Sequence, residues 1–320
     1  MTTLIRWFSN FSSTILRSIR LRGNNMAGPI FNVFENMISL EYLDLTRTDI
    51  QGGILKYFGN LSSLTSLYMS GNNLASDLSE MMMNISAGPV AKKLENLILG
   101  RNYFSGLLPN MSRFSSLYVL DLSVILCLSD SFRPYSNLKA VTLDISRNKI
   151  SGSIEFLCYV KEWMLIDLSD NLFSGRIPDC FANFKLLRYL NLANNQFSGE
   201  IPYSFGLLSG LTLLHLRNNS FSGGLPTSMR NCTSLEMIDV GDNRLTGKIP
   251  DWIGDSFPEL IVLIIRSNVF YGSMSSSICH LAKLQILDIS SNKIDGVMPE
   301  CLQNFIGMTT DLNPNPFSNS

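Results

Sequence analysis

Residues 187–202 read LRYLNLANNQFSGEIP, and 24 residues later residues 211–226 read LTLLHLRNNSFSGGLP. Anchoring on the shared asparagine and extending both ways finds the same position at Asn24, Thr48, Asn72, Asn102, Ile125, Asn148, Asn171, Asn195, Asn219, Asn243, Asn268 and Asn292. The intervals run from 23 to 25 residues, except for one of 30 between Asn72 and Asn102. Chain length alone, at 320 residues, would suggest two ordinary domains. A short fixed period predicts a single stacked array instead, because each unit is one supersecondary element that buries its faces only against neighbours.

Four positions in the unit are apolar in all twelve repeats, at −8, −5, −3 and +2 from the anchor, counting Ala140, Trp163 and Cys127. The −5 and −3 pair, such as Leu190 and Leu192, has the alternation of a short strand with one face inward. Phe104, Phe173, Phe197, Phe221 and Phe270 share position +2 and predict a column of aromatic contacts. An asparagine amide supplies two donors and an acceptor, so a column of anchors can bond the backbone where each chain segment turns away from its strand. Thr48 can do this in part and Ile125 cannot. Glycine at +4 in ten repeats, from Gly28 to Gly296, predicts a positive φ or a close backbone approach. The repeat at Ile125 lacks it, which makes residues 123–137 the expected irregular stretch, and the long interval places an insertion near residues 78–92.

Composition narrows the function. Charged residues are 16% of the chain and the net charge is −1, so no field draws in nucleic acid or an anionic membrane. No window approaches the ~18 consecutive apolar residues of a membrane span. Met1 to Ile15 does not read as a secretory signal, since Ser9, Asn10, Ser12, Ser13 and Thr14 break any apolar core of the required length. With two histidines and no GxSxG, HExxH, P-loop or GxGxxG pattern, the chain carries no catalytic constellation and reads as a non-enzyme. No cofactor is implied, and no CxxC or Cys/His cluster suggests a metal.

The consensus LxxLxLxxNxLxGxIP is quoted by LIDLSDNLFSGRIP at 165–178, LNLANNQFSGEIP at 190–202 and IDVGDNRLTGKIP at 238–250. It resembles the plant-specific class of leucine-rich repeat. With SGRIPDC at 174–180, SSNKIDGVMPECLQNF at 290–305 and the insert after Asn72, the chain is similar to plant leucine-rich-repeat receptor-like proteins over roughly Asn10 to Met308. The resemblance implies an α/β, β-rich solenoid: a right-handed superhelix of about twelve repeats with a concave parallel β-sheet. It also implies the extracellular side of the plasma membrane as the location of a full-length relative. The expected organisation is a partial repeat at 1–15, one elongated repeat domain at 16–308 and a disordered tail at 309–320. Family members carry a signal peptide, caps, further repeats and a transmembrane helix, so the sequence reads as an internal piece or a truncated product.

Among six cysteines, Cys158 and Cys180, and likewise Cys279 and Cys301, lie 22 residues apart in adjacent repeats. Strand spacing of roughly 4.8 Å can bring each pair within disulfide reach, which predicts two bridges; the competing reading is four buried apolar side chains. Asn10, Asn60, Asn84, Asn110, Asn218 and Asn231 head glycosylation sequons. Asn60, Asn84 and Asn231 share an offset on the convex side, where Asn36, Asn183 and Asn304 stand without a sequon.

Outward strand positions form the concave surface. Position −4 carries a ladder that includes Asp121, Asp144, Asp167, Asn191, His215 and Asp239, and Asp239 beside His215 suggests either a charged histidine or a cation site. A structural role for these acids is the competing reading, since the family's unit commonly has Asp there. The sharper candidates lie in the regular C-terminal half: Arg188, Tyr189, Leu213, His215, Arg217, Glu236, Met237, Asp239, Ile264, Arg266 and Gln285. Tyr, Met and Arg are typical interface anchors, and Leu213, Met237 and Ile264 suggest an apolar stripe. The resemblance then implies recognition of a peptide, protein or glycan ligand by a receptor in defence or development, coupled to a co-receptor kinase. The alternatives are a secreted repeat protein similar to polygalacturonase inhibitors, or a truncated product without function.

Overall fold

The computed structural model describes residues 15–29, 34–53, 56–107, 111–125, 128–129 and 140–301. The expected partial repeat at 1–14, the tail, Asn10, Asn110, Cys127 and most of the irregular stretch lie outside them. Two compact units, Met1–Ser174 and Gly175–Ser320, make up the chain, and each is a parallel-strand solenoid of the repeat read above.

Positions −6 to −4 of each repeat form a three-residue strand. In the first unit these are β1 (Ser18–Arg20), β2 (Tyr42–Asp44), β3 (Ser66–Tyr68), β4 (Asn96–Ile98), β5 (Val119–Asp121), β6 (Thr142–Asp144) and β7 (Leu165–Asp167). In the second they are β8 (Tyr189–Asn191), β9 (Leu213–His215), β10 (Met237–Asp239), β11 (Val262–Ile264) and β12 (Ile286–Asp288). Within each unit neighbours pair in parallel and in register, as in Leu190↔Leu214↔Ile238↔Leu263. The −5 side chain of each is turned into the core, and from Leu43 to Leu263 these leucines and isoleucines are at most 1% exposed.

Beneath the sheet, all five +2 phenylalanines are fully buried. Phe197 and Phe221 stack with ring centroids 6.2 Å apart and planes 11° off parallel. A second set of buried rings, which the repeat pattern did not single out, runs along the opposite flank: Phe181 lies 5.4 Å from Phe205.

The anchor column works as hydrogen-bond chemistry demands. Asn72 Nδ2 donates to its own Met69 carbonyl at 2.9 Å and to Leu45 of the preceding repeat at 2.7 Å, while Oδ1 accepts the Thr48 and Ile50 N–H groups at 2.9 and 3.3 Å. Asn102, Asn148, Asn171, Asn219, Asn243, Asn268 and Asn292 repeat the scheme. Thr48 reaches only its own Leu45 carbonyl, at 2.7 Å. The chain then turns through a left-handed residue at −1 and reverses again at the +4 glycine, all ten of which have positive φ.

The long interval builds an element found in no other described repeat. An α-helix, Leu78–Ser86, replaces the usual short 3₁₀ turn and is followed by a 3₁₀ turn at Pro89–Lys92. Its apolar residues Leu78, Met81, Met82 and Ile85 follow helical spacing and are all buried. Asp77 caps it by accepting the Glu80 N–H at 2.9 Å.

Candidate functional site

Strand pleating leaves two side-chain rows of each main-sheet strand facing solvent, positions −6 and −4. In the second unit the −6 row reads Tyr189, Leu213, Met237, Val262, Ile286 in direct register. The first three are half-buried, Val262 is buried and Ile286 is 51% exposed. This is a continuous apolar stripe across five adjacent strands. Ile264 belongs to the other row, in register with His215 and Asp239, so Val262 and not Ile264 continues the stripe. The Tyr189 ring meets the His215 imidazole at 5.9 Å, and Tyr189 Oη accepts from Asn191 Nδ2 at 3.2 Å.

The −4 acids serve the backbone first. Asp44, Asp121, Asp144, Asp167, Asp239 and Asp288 each turn Oδ1 onto the N–H two residues ahead, at 2.9–3.1 Å, and Asn191 does the same with its amide oxygen at 3.1 Å. They close the turn that leaves the strand. Asp239 is 7% exposed, and desolvation raises its pKa against the hydrogen bond from Gly241 and the nearby charges of His215, Arg217 and Arg266. A carboxylate committed and desolvated in this way is poorly placed to hold a cation. Among the described residues no group of three or more His, Cys, Asp or Glu is arranged to bind a metal ion.

Arg217 and Arg266 flank the stripe at position −2 of alternate repeats, on either side of Gly241. Both reach Asp242: Arg217 Nε at 2.8 Å and Arg266 Nη2 at 3.3 Å, with Arg266 Nη1 a further 3.9 Å from Asp288. Burial pushes the Asp242 carboxyl up, but hydrogen bonds from Ser267 and the two arginines outweigh it and hold the pKa below the usual range. The two guanidiniums are thus fixed in place rather than free to sweep, which sequence reasoning could not see because Asp242 sits at the variable −1 position. Arg188 and Glu236 are exposed and Gln285 half-buried at the leading edge of the same face.

Cys279 and Cys301 form a disulfide with Cα atoms 5.7 Å apart. Cys158 and Cys180 are disulfide-bonded as well, and Cys232 is a buried free thiol. Asn60 and Asn231 are exposed at the ends of short 3₁₀ turns. Asn84 is half-buried within the helix, and Asn218 is exposed at a left-handed turn position, with Nδ2 donating to Asn194 Oδ1 at 2.9 Å. Among the described residues no helix is long and apolar enough to cross a membrane.

The family model described as Leucine Rich Repeat matches residues 39–61, 164–184, 186–208, 210–232, 234–256 and 283–305. The tomato (Solanum lycopersicum) receptor-like protein EIX2 is 38% identical over 117 residues, covering 36% of this chain and 11% of that relative. The Arabidopsis receptor kinase HAESA, solved with the peptide hormone IDA and the co-receptor SERK1, superposes with a TM-score of 0.84 at 28% identity, over 92% of this chain and 49% of that one. The plant peptide hormone receptor RGFR1, solved with RGF2, gives 0.78 at 27% identity over 92% and 50%. The chain therefore spans half or less of each relative it matches, and it is a leucine-rich-repeat protein similar, in sequence and in fold, to the ectodomains of plant receptor-like proteins and receptor kinases.

Proposed function

We propose that this chain is the ligand-recognition segment of a plant cell-surface receptor-like protein acting in defence or development. It works on the extracellular side of the plasma membrane, takes a peptide or protein on the exposed main-sheet face of the second unit, and passes the signal to a partner receptor kinase. The observation that carries this reading is the in-register stripe Tyr189–Leu213–Met237 with the fixed Arg217 and Arg266 beside it. Apolar surface flanked by oriented guanidiniums is the composition of interface hot spots. Peptide-bound HAESA and RGFR1 share the fold and support a peptide as the ligand class.

The test is selection of a displayed linear-peptide library on the purified chain, with the variant Tyr189→Ala/Leu213→Asp/Met237→Asp as the comparison. All three side chains point away from the core, so the variant keeps the fold by circular dichroism. The expected result is a set of enriched peptides whose affinity falls at least tenfold on the variant. Peptides that bind both proteins equally would remove this face from the reading.

A further inference from the structure

On the first unit, the insertion borders a cavity of about 780 Å³. Its charged lining is one-signed: Lys92, Lys93 and Arg113, with no carboxylate. Among the described residues none of these three cations has an acidic partner within ion-pair distance. Arg113 Nη1 lies 3.5 Å from the carbonyl of Ser86, at the helix C-terminus, where a cation complements the helix dipole and stays on the cavity wall. Hydroxyls complete the lining, at Ser62, Ser86, Ser112 and Ser115.

The wall is held rigidly. Gly88 packs so closely on Gly59 that a Cβ there would lie 1.9 Å from the Gly59 carbonyl oxygen. The helix behind it is pinned by the buried Met81, Met82 and Ile85. A preformed concavity of this volume, with three unpaired cations and several neutral hydroxyls, recognises negative charge and hydroxyl groups together.

We infer that this cavity is a binding site, separate from the main-sheet face, for a sugar bearing an anionic group. Guanidinium and ammonium groups meet the carboxylate, phosphate or sulfate, and the serine hydroxyls meet the ring hydroxyls. Ser62 and Ser86 are also the third residues of the Asn60 and Asn84 sequons, so a glycan on either asparagine would stand at the rim. For that reason the measurement uses the full chain with its N-glycans removed.

Saturable binding of glucose 6-phosphate, glucuronic acid, glucose and inorganic phosphate is measured by saturation-transfer NMR and calorimetry. At least one charged sugar is expected to bind tenfold or more tightly than both glucose and inorganic phosphate; which one identifies the anion. The variant Lys92→Ala/Lys93→Ala/Arg113→Ala should lose that binding at least tenfold. These side chains are exposed and make no ion pair among the described residues, so it should melt with the wild type. The inference is overturned if no charged sugar saturates, if glucose or inorganic phosphate binds as tightly, or if the variant binds unchanged. Tyr189, Leu213 and Met237 lie in the second unit, so neither result bears on the peptide reading.

Discussion

Asn268 shows what a single residue contributes to this fold. Its Nδ2 donates to Val240 and Ile265 carbonyls, both at 3.0 Å, and its Oδ1 accepts the Leu245 N–H at 2.8 Å, all buried. Asn268→Ala leaves three backbone groups without partners, each costing about 1–3 kcal/mol, so a loss of roughly 3 kcal/mol or more is expected in denaturant unfolding. This role was legible in the sequence, because only an amide serves both ends of such a column. The residue before it was not. Position −1 is left-handed in every described repeat, yet holds Arg, Asp, Asn, Ser and Gly without a common chemistry. Val124 has φ 55° there, where a β-branched side chain is strained. Val124→Asn, the residue found at 194 and 218, should stabilise the protein by about 1 kcal/mol in the same assay. Asp144 presents a third case: burial pushes its carboxyl up to about 6, against the hydrogen bonds from Ser146, with Asp121 and Asp167 adding to the rise. A raised folded pKa means stability is fully present below the unfolded value of ~3.9 and is lost as pH rises through about 6. Asn191 shows that an amide closes the same turn. Asp144→Asn should therefore gain about 1–2 kcal/mol at pH 7, allowing for solvent screening, and flatten the unfolding midpoint between pH 4 and 7.

At the scale of elements, the insertion is the informative case. Its position was legible from one long interval, and its helix could have been read as well: Asp77 and Glu80 are spaced as a cap, and Leu78, Met81, Met82 and Ile85 as one helical face. The strands were easier, since the apolar −5 and −3 positions bracket the outward −4 in every repeat. Packing of the insertion on its neighbour depends on bare backbone at Gly88. Gly88→Ala forces the helix away from Gly59, with an expected cost above 2 kcal/mol by thermal or denaturant melting and a loss of amide protection confined to Leu78–Lys92 in hydrogen exchange. Uniform loss of protection across the first unit would show instead that the insertion is not a separable element.

For the whole molecule, twelve copies of one pattern made the solenoid readable, and the same uniformity hid the site. Recognition surfaces are written in the variable outward positions, where each residue taken singly looks like an ordinary solvated one. The apolar stripe emerged only when strand register set Tyr189, Leu213, Met237, Val262 and Ile286 in one row and moved Ile264 to the other. The pinning of Arg217 and Arg266 by Asp242 needed the turn geometry that brings position −1 over the sheet edge. The most direct measurement of the central claim is covalent footprinting of the chain with and without a saturating selected peptide. The account predicts protection concentrated at Tyr189, Leu213, His215 and Met237, with the side chains of the first unit unchanged. Full labelling of those four residues in the bound state, with protection elsewhere on the molecule, would contradict it.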